Sequence, residues 1–172
     1  FMTLTLEEAA EYYREHYGVT LSVKEIVDGV NAMVEGIYRT KVTLKPGIKE
    51  YLHWLKKNGV KMCVATVTDR YLVEETLERR GIRHYFSEVF TCAEVGFGKD
   101  KPIIYRKALE HLGTEKENTC VFEDSLFALE TAKADGFPTV GVYDRHENRQ
   151  NELKNLADYY IRDFADPVLK TI

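Results

Sequence analysis

Residues 119–136, TCVFEDSLFALETAKADG, contain a short apolar segment, two adjacent acids and a run of mostly apolar and small residues that ends at a glycine. The apolar segment, residues 119–122, has the length and the polar boundary that are typical of a buried parallel strand. Residues 125–134 follow as a predicted helix, and Gly136 is a typical helix end. The stretch therefore predicts a strand that leads directly into a helix, with Glu123 and Asp124 between them.

The same order of strand and helix continues along residues 45–172, without an internal repeat or a low-complexity linker. Strands that alternate with helices of this length imply right-handed crossovers and a parallel sheet covered on both faces. We therefore expect an α/β fold. The predicted strands are residues 60–65, 88–91, 119–122, 139–143 and 159–161, and the predicted helices are residues 48–57, 69–80, 102–112 and 125–134, a polar helix through Asn155 and a terminal helix.

The first forty residues follow a different pattern, which is purely helical. Thr5 and Glu8 form a capping-box pattern before one apolar stripe, and Gly18 ends that helix. Ser22 and Glu25 repeat the pattern before a second stripe at helical spacing. Because two helices alone bury little surface, we expect this unit to pack on something else.

Composition limits the classes of function. The formal charge is −4, from 24 basic and 28 acidic residues without a basic stripe, so nucleic acid is not an expected partner. No apolar run approaches the roughly 18 residues that cross a bilayer, so no membrane association is expected. The three cysteines lack zinc-site spacing and lie in or beside apolar runs, which indicates a reducing, cytoplasmic protein.

Polar residues that follow strands are candidates for a site, because open parallel sheets bind ligands beyond the carboxyl ends of their strands. Thr66 follows one predicted strand, Lys99 lies in the loop after the next, and Glu123 and Asp124 follow a third. A hydroxyl and a cation suit a phosphate group, whose negative charge must be balanced during transfer. Two carboxylates at the same rim suit a divalent ion, and Mg²⁺ is the usual ion beside a phosphate.

Each of these residues also has a structural explanation. Thr66 could end a strand, and Lys99 could be a solvated surface lysine. The triplet 123–125 could be a helix start, with Ser125 as the N-cap and the acids favoured by the helix dipole. The histidines are scattered, so we assign no role to His53, His84 or His111.

With these motifs in order, the chain resembles the haloacid-dehalogenase superfamily, in the branch with a small helical cap that includes β-phosphoglucomutase-like phosphatases. The second motif of that family is a strand ending in Thr or Ser, the third carries a lysine, and the fourth is a strand ending in Glu-Asp-Ser. The segments that carry the resemblance are MCVAT (62–66), GKDKPIIY (98–105) and VFEDS (121–125), with KPG (45–47) at the return from cap to core. Two residues around the lysine differ from the family pattern, and Ala128 and Asp135 replace two usual small residues.

The resemblance implies a Rossmann-like core, a Mg²⁺ cofactor and hydrolysis through an aspartyl-phosphate. Thr66 and the Val67 amide would hold the phosphoryl oxygens, and Lys99 would neutralise nucleophile and phosphate. Asp124, with Glu123 beside it, would hold the metal. Residues 1–41 would form a partial helical cap and residues 42–172 the core.

One departure is severe, since the family's first motif supplies the nucleophile in an Asp-x-Asp sequence and none occurs in this chain. We therefore expect that an N-terminal portion is absent from these 172 residues. The core would lack its first strand, and this fragment alone would be inactive.

The expected function is that of a Mg²⁺-dependent phosphatase acting on a small phosphorylated metabolite, as a monomer or weak homo-oligomer. A sugar-phosphate mutase is an alternative, although Met2 and Leu6 stand where basic cap residues would be placed. A catalytically inactive binding module is a second alternative.

Two other classes of protein are disfavoured. A 2-haloacid dehalogenase is not expected, since those enzymes lack the adjacent Glu-Asp pair. A phosphorylation-controlled receiver domain is rejected, because its acids precede the Thr and Lys in the chain.

Overall fold

The computed structural model describes residues 6–172, which divide into two compact units. The first unit ends at Val42, and the second spans Thr43–Ile172. Met2, one of the two cap positions named above, and the predicted capping role of Thr5 lie outside the described residues. Within the described residues, no helix is both long enough and apolar enough to cross a membrane.

The first unit is a pair of helices, α1 (Leu6–Tyr17) and α2 (Val23–Thr40). Helix α2 begins with the predicted capping box, in which the Glu25 amide donates to Ser22 Oγ at 3.3 Å and the Ser22 amide donates to the Glu25 carboxylate at 2.8 Å. Ala10 is the one residue of these two helices that is buried. The apolar stripe of α2 therefore remains largely accessible.

The second unit alternates helices and strands, as the sequence predicts. The elements are α3 (Ile48–Lys57), β1 (Val64–Thr66), α4 (Arg70–Arg79), a 3₁₀ turn (Arg83–Tyr85), β2 (Val89–Thr91), α5 (Cys92–Val95), α6 (Ile103–Leu112), a 3₁₀ turn (Lys116–Asn118), β3 (Val121–Glu123), α7 (Leu126–Ala134), β4 (Thr139–Val142), α8 (Gln150–Leu156), β5 (Tyr159–Ile161) and a 3₁₀ turn (Pro167–Lys170).

Every strand pair is parallel, which confirms the predicted α/β class, but the strands form two sheets. Strand β1 pairs with β2, and β3, β4 and β5 form a second sheet with β4 in the middle. Among residues 6–172 no strand lies between β1 and β3 to join the sheets by hydrogen bonds. One edge of β1 and one edge of β3 are therefore unpaired by these residues.

The two sheets pack against a common hydrophobic core, although no strand-to-strand hydrogen bonds join them among the described residues. A buried cluster consists of Ile104 and Tyr105 of α6, Ala132 of α7, and Phe137, which follows α7. Ala65 of β1 and Val121 of β3 both pack against this cluster. Helix α6 thus bridges the sheets. A second cluster joins α3 to β4, β5 and the last turn and contains Tyr51, Val140, Val142, Ile161 and Leu169.

The strands differ from the prediction at their ends. Strand β1 begins at Val64 instead of residue 60, although the Met62 carbonyl before it still accepts a hydrogen bond from the Ser87 amide at 2.8 Å. Strand β3 runs to Glu123 instead of ending at Phe122. Thr66 and Glu123 are consequently the last residues of their strands, not the first residues beyond them. Helix α5 and the 3₁₀ turns were not predicted, and the predicted terminal helix is a single 3₁₀ turn.

The three cysteines are free thiols that are partly buried. Burial, with a smaller contribution from Glu88, raises the pKa of Cys63 to about 11. Burial, with a smaller contribution from Asp158, raises the pKa of Cys120 to about 12. Both thiols therefore stay protonated near neutral pH, as expected of small core residues.

Candidate active site

The carboxyl end of β3 carries a buried ion pair. Glu123 is the last residue of the strand, and its carboxylate bonds the Lys99 ammonium, which arrives from the loop before α6. The side chain of Glu123 is 7% exposed and that of Lys99 is 12% exposed. Lys99 is therefore not a solvated surface lysine. Its charge is fixed at the end of β3 by a partner that is itself nearly out of solvent.

Tyr105 completes this pair from α6. Its hydroxyl is 2.9 Å from Glu123 Oε1 and 3.3 Å from the Ala128 carbonyl, and Lys99 Nζ lies 5.8 Å from the ring centroid. Burial and the charge of Glu123 raise the pKa of Tyr105 well above its usual value. The phenol therefore remains a donor to the carboxylate. The sequence motif includes Tyr105, but the sequence alone gave it no role.

Replacing Tyr105 with Phe should lower stability without removing the ion pair. The substitution leaves a buried carboxylate short of one donor, which costs about 1–2 kcal/mol in the free energy of unfolding. Denaturant unfolding measures the change. Tyr159→Phe is the control, because Tyr159 is an exposed strand tyrosine, and it should shift stability by less than about 0.5 kcal/mol. Equal effects in the two variants would contradict the proposed role of the hydroxyl.

Asp124 has a different environment from its neighbour. Its side chain is 49% exposed, and its nearest cation is Lys45 Nζ at 3.9 Å from Oδ2. Unlike Glu123, it is not engaged by a buried partner among the described residues. A half-exposed carboxylate whose neighbour in the chain, Glu123, already holds a buried lysine is chemically available to a ligand.

The start of α7 differs from the prediction. Ser125 occupies the N-cap position, but its side chain makes no capping hydrogen bond. The first amide of the helix, that of Leu126, instead donates to the Glu147 carboxylate at 2.9 Å. Hydrogen bonds from the amides of Leu126 and Arg149 lower the pKa of Glu147. An acid from the loop after β4 thus takes the place that sequence reasoning gave to Ser125.

The loop after β4 supplies a second acid that the sequence analysis did not select. Asp144 lies two residues beyond the end of β4, and its Oδ2 accepts a hydrogen bond from Lys45 Nζ at 2.8 Å. Burial acts to raise the pKa of Asp144, but the hydrogen bonds from Lys45 and from the His146 amide outweigh it, so the net change is downward. Applying the strand-end rule to β4 would have found Asp144.

Thr66 and Val67 lie at the carboxyl end of β1. The Thr66 hydroxyl accepts a hydrogen bond from the Thr68 amide at 3.1 Å, and Val67 is 62% exposed. No hydrogen bond within residues 6–172 links Thr66 to Lys99 or Asp124. The structure thus joins Lys99 directly to Glu123, and Asp124 follows Glu123 in the chain. The role of Thr66 at this site stays a prediction.

The donor chemistry at the end of β3 suits Mg²⁺, although the described residues contain no cluster of three or more acidic, histidine or cysteine side chains that could enclose a metal. Mg²⁺ is usually bound through one or two carboxylates together with substrate phosphates and water. Asp124, an accessible hard oxygen donor, fits that requirement. Glu123 is engaged by Lys99 and Tyr105 at Oε1, so its role as a ligand stays a prediction.

Comparison with known proteins decides the family. Residues 1–142 match the family model described as haloacid dehalogenase-like hydrolase. The chain belongs to this family. The resemblance drawn from the three motifs is therefore confirmed, over most of the chain.

Two curated relatives extend the comparison. The phosphorylated carbohydrates phosphatase of Thermotoga maritima is 29% identical over 134 residues, which are 74% of this chain and 62% of that protein. Protein CbbY of Cereibacter sphaeroides is 35% identical over 144 residues, which are 80% of this chain and 58% of that protein. The chain thus spans about three-fifths of the length of these relatives.

A solved structure supports the same fold. The crystal structure of a mutant CbbY from Rhodobacter sphaeroides, in complex with xylulose-(1,5)bisphosphate, superposes with a TM-score of 0.77 at 26% identity. The match covers 96% of this chain and 76% of that one. The Rossmann-like α/β fold is therefore confirmed.

Proposed function

We propose that the protein is a Mg²⁺-dependent phosphatase that acts on a small phosphorylated metabolite. The observation that carries the proposal is the Lys99 ammonium held by Glu123 at the end of β3, with the accessible carboxylate of Asp124 on the next residue of the chain. Family membership supports it, as do relatives whose names refer to phosphorylated carbohydrates and to a sugar bisphosphate complex. A phosphorylated sugar is therefore the first substrate class to test.

Each residue has a role in this proposal that follows from its chemistry. The Lys99 ammonium offsets the negative charge of the phosphoryl group and of its attacking oxygen, and its burial makes that interaction stronger than in water. The Thr66 hydroxyl and the Val67 amide donate to phosphoryl oxygens. Asp124 holds the metal, with Glu123 orienting Lys99. When bound, Mg²⁺ supplies further charge neutralisation beside the phosphate.

The nucleophile in this proposal comes from outside the 172 residues, since they contain no Asp-x-Asp sequence. The unpaired edges of β1 and β3 support this, because a further parallel strand between them would end on the same rim as Thr66 and Glu123. The three free thiols fit a reducing compartment such as the cytoplasm.

The missing Asp-x-Asp sequence also favours a second candidate, a phosphate-binding module without catalysis. One experiment separates the two. Protein expressed from the complete reading frame is assayed with p-nitrophenyl phosphate and a panel of sugar phosphates, with Mg²⁺ and with EDTA. Release of phosphate that requires Mg²⁺ supports the phosphatase. Phosphate binding measured by calorimetry, without any turnover, supports the binding module. A protein that neither hydrolyses the substrates nor binds phosphate would contradict both candidates.

A further inference from the structure

Lys45 lies close to two acids, Asp124 and Asp144, that follow neighbouring strands of the larger sheet. Its ammonium donates to Asp144 Oδ2 and to the Tyr143 carbonyl, each at 2.8 Å, and lies 3.9 Å from Asp124 Oδ2. The three side chains are each about one-third to one-half exposed, so they are accessible to an ion from solvent. One lysine is therefore shared, unequally, between two carboxylates.

The backbone that carries Lys45 is held in place by close packing. The Pro46 carbonyl accepts a hydrogen bond from the Phe164 amide at 2.9 Å. Gly47 has a φ of +77°, and a Cβ there would lie 2.5 Å from the Ala165 nitrogen, so only glycine fits this approach. The position of Lys45 is therefore set by the fold and not by its partners alone.

Asp144 is held by hydrogen bonds from residues that follow it in the chain. Its second carboxylate oxygen accepts from the His146 amide at 3.0 Å, and its carbonyl accepts from the Gln150 side chain at 2.7 Å. Asp144 thus holds the lysine by the shorter contact, while Asp124 has only the longer one. Because of this asymmetry, Lys45 offsets the charge of the Asp124 carboxylate only from a distance, and the carboxylate stays accessible to an ion from solvent.

We propose that Lys45 and Asp144 are positioning residues that set the affinity of Asp124 for a divalent cation. Lys45 balances the charge of Asp124 when no cation is bound and opposes cation binding, whereas Asp144 restrains Lys45 and so favours binding. The inference rests on the proposed function in assuming that Asp124 is a metal ligand. It gives a role to Asp144, which lies outside the family segments named above, and to Lys45, whose segment was read only as the return from cap to core.

The two substitutions should move Mg²⁺ affinity in opposite directions. Lys45→Met removes the opposing charge and should lower the Mg²⁺ dissociation constant about three- to five-fold. Asp144→Asn releases the lysine toward Asp124 and should raise it by a similar factor. Isothermal titration of Mg²⁺ alone, into protein expressed from the complete reading frame, measures both constants. Lys45→Arg, which keeps the charge, should remain close to the parent protein.

The outcomes separate this inference from the proposed function. A merely structural ion pair would lower the melting temperature in both variants and shift the two dissociation constants in the same direction or not at all, which would overturn the inference. If Lys45→Met does not fold, the directional effect of Asp144→Asn decides alone. If Asp124→Asn leaves Mg²⁺ binding unchanged, the metal assignment in the proposed function fails as well. If Asp124→Asn removes binding but the pair has no effect, only the inference fails.

Discussion

Lys99→Met should lower turnover at least about 10²-fold, because a fixed charge that stabilises the transition state of phosphoryl transfer is lost. The loss should appear in kcat more than in KM, since the negative charge that Lys99 offsets develops during the reaction. Steady-state assays with p-nitrophenyl phosphate and Mg²⁺ measure it. Lys101→Met is the matched control, because Lys101 is an exposed lysine two residues away, with its ammonium 5.0 Å from the Phe97 ring centroid.

The same substitution should also destabilise the protein. It leaves the nearly buried carboxylate of Glu123 without its cation, and breaking one side of such a pair costs about 3 kcal/mol. The double variant Lys99→Met, Glu123→Gln removes both charges and should recover much of that stability but none of the activity. Recovery of activity together with stability would show that Lys99 acts only through folding.

The sequence was sufficient for the order of the main elements because the strands are short apolar segments and the helices α3, α4, α6 and α7 each end close to a glycine. The expectation that the core lacks a strand left room for a divided sheet. Which strands pair could not be predicted, since pairing depends on which neighbours are present in space. Val60 belongs to an apolar run, yet it is exposed, and its amide donates to the Leu55 carbonyl at the end of α3 at 3.0 Å.

The candidate site shows the same limit. Lys99, Glu123 and Asp124 could be found from strand ends and motif spacing, because these features are local in the chain. Asp144 directly follows the predicted strand 139–143 and could have been selected in the same way. Glu147 could not, because its partner is known only from the fold. Glu147 is 21 residues from the amide it caps, and that contact replaces the local cap expected from Ser125. The role of Tyr105 could not be predicted from the sequence, because its hydroxyl reaches Glu123 only where the fold packs α6 near the end of β3.

Asp124→Asn should abolish Mg²⁺-dependent turnover while leaving the fold intact. The substitution keeps the shape of the side chain but removes the charge that attracts a divalent cation, and a loss of about 10³-fold is expected for the several kcal/mol that a bound metal contributes. Stability should change little, because Asp124 is half exposed and its nearest cation is 3.9 Å away. Turnover with and without Mg²⁺, with thermal unfolding of the same samples, measures both effects.

Asp28→Asn is the control for this variant, since Asp28 is also an exposed aspartate with a lysine partner, Lys24, but lies on α2. It should leave turnover unchanged. The test depends on the difference between two neighbouring acids. Glu123 is buried and paired with Lys99, whereas Asp124 is half exposed and accessible to a metal ion. If Asp124→Asn kept full Mg²⁺-dependent activity, the open carboxylate would not be the metal ligand, and the ion would have to be held elsewhere.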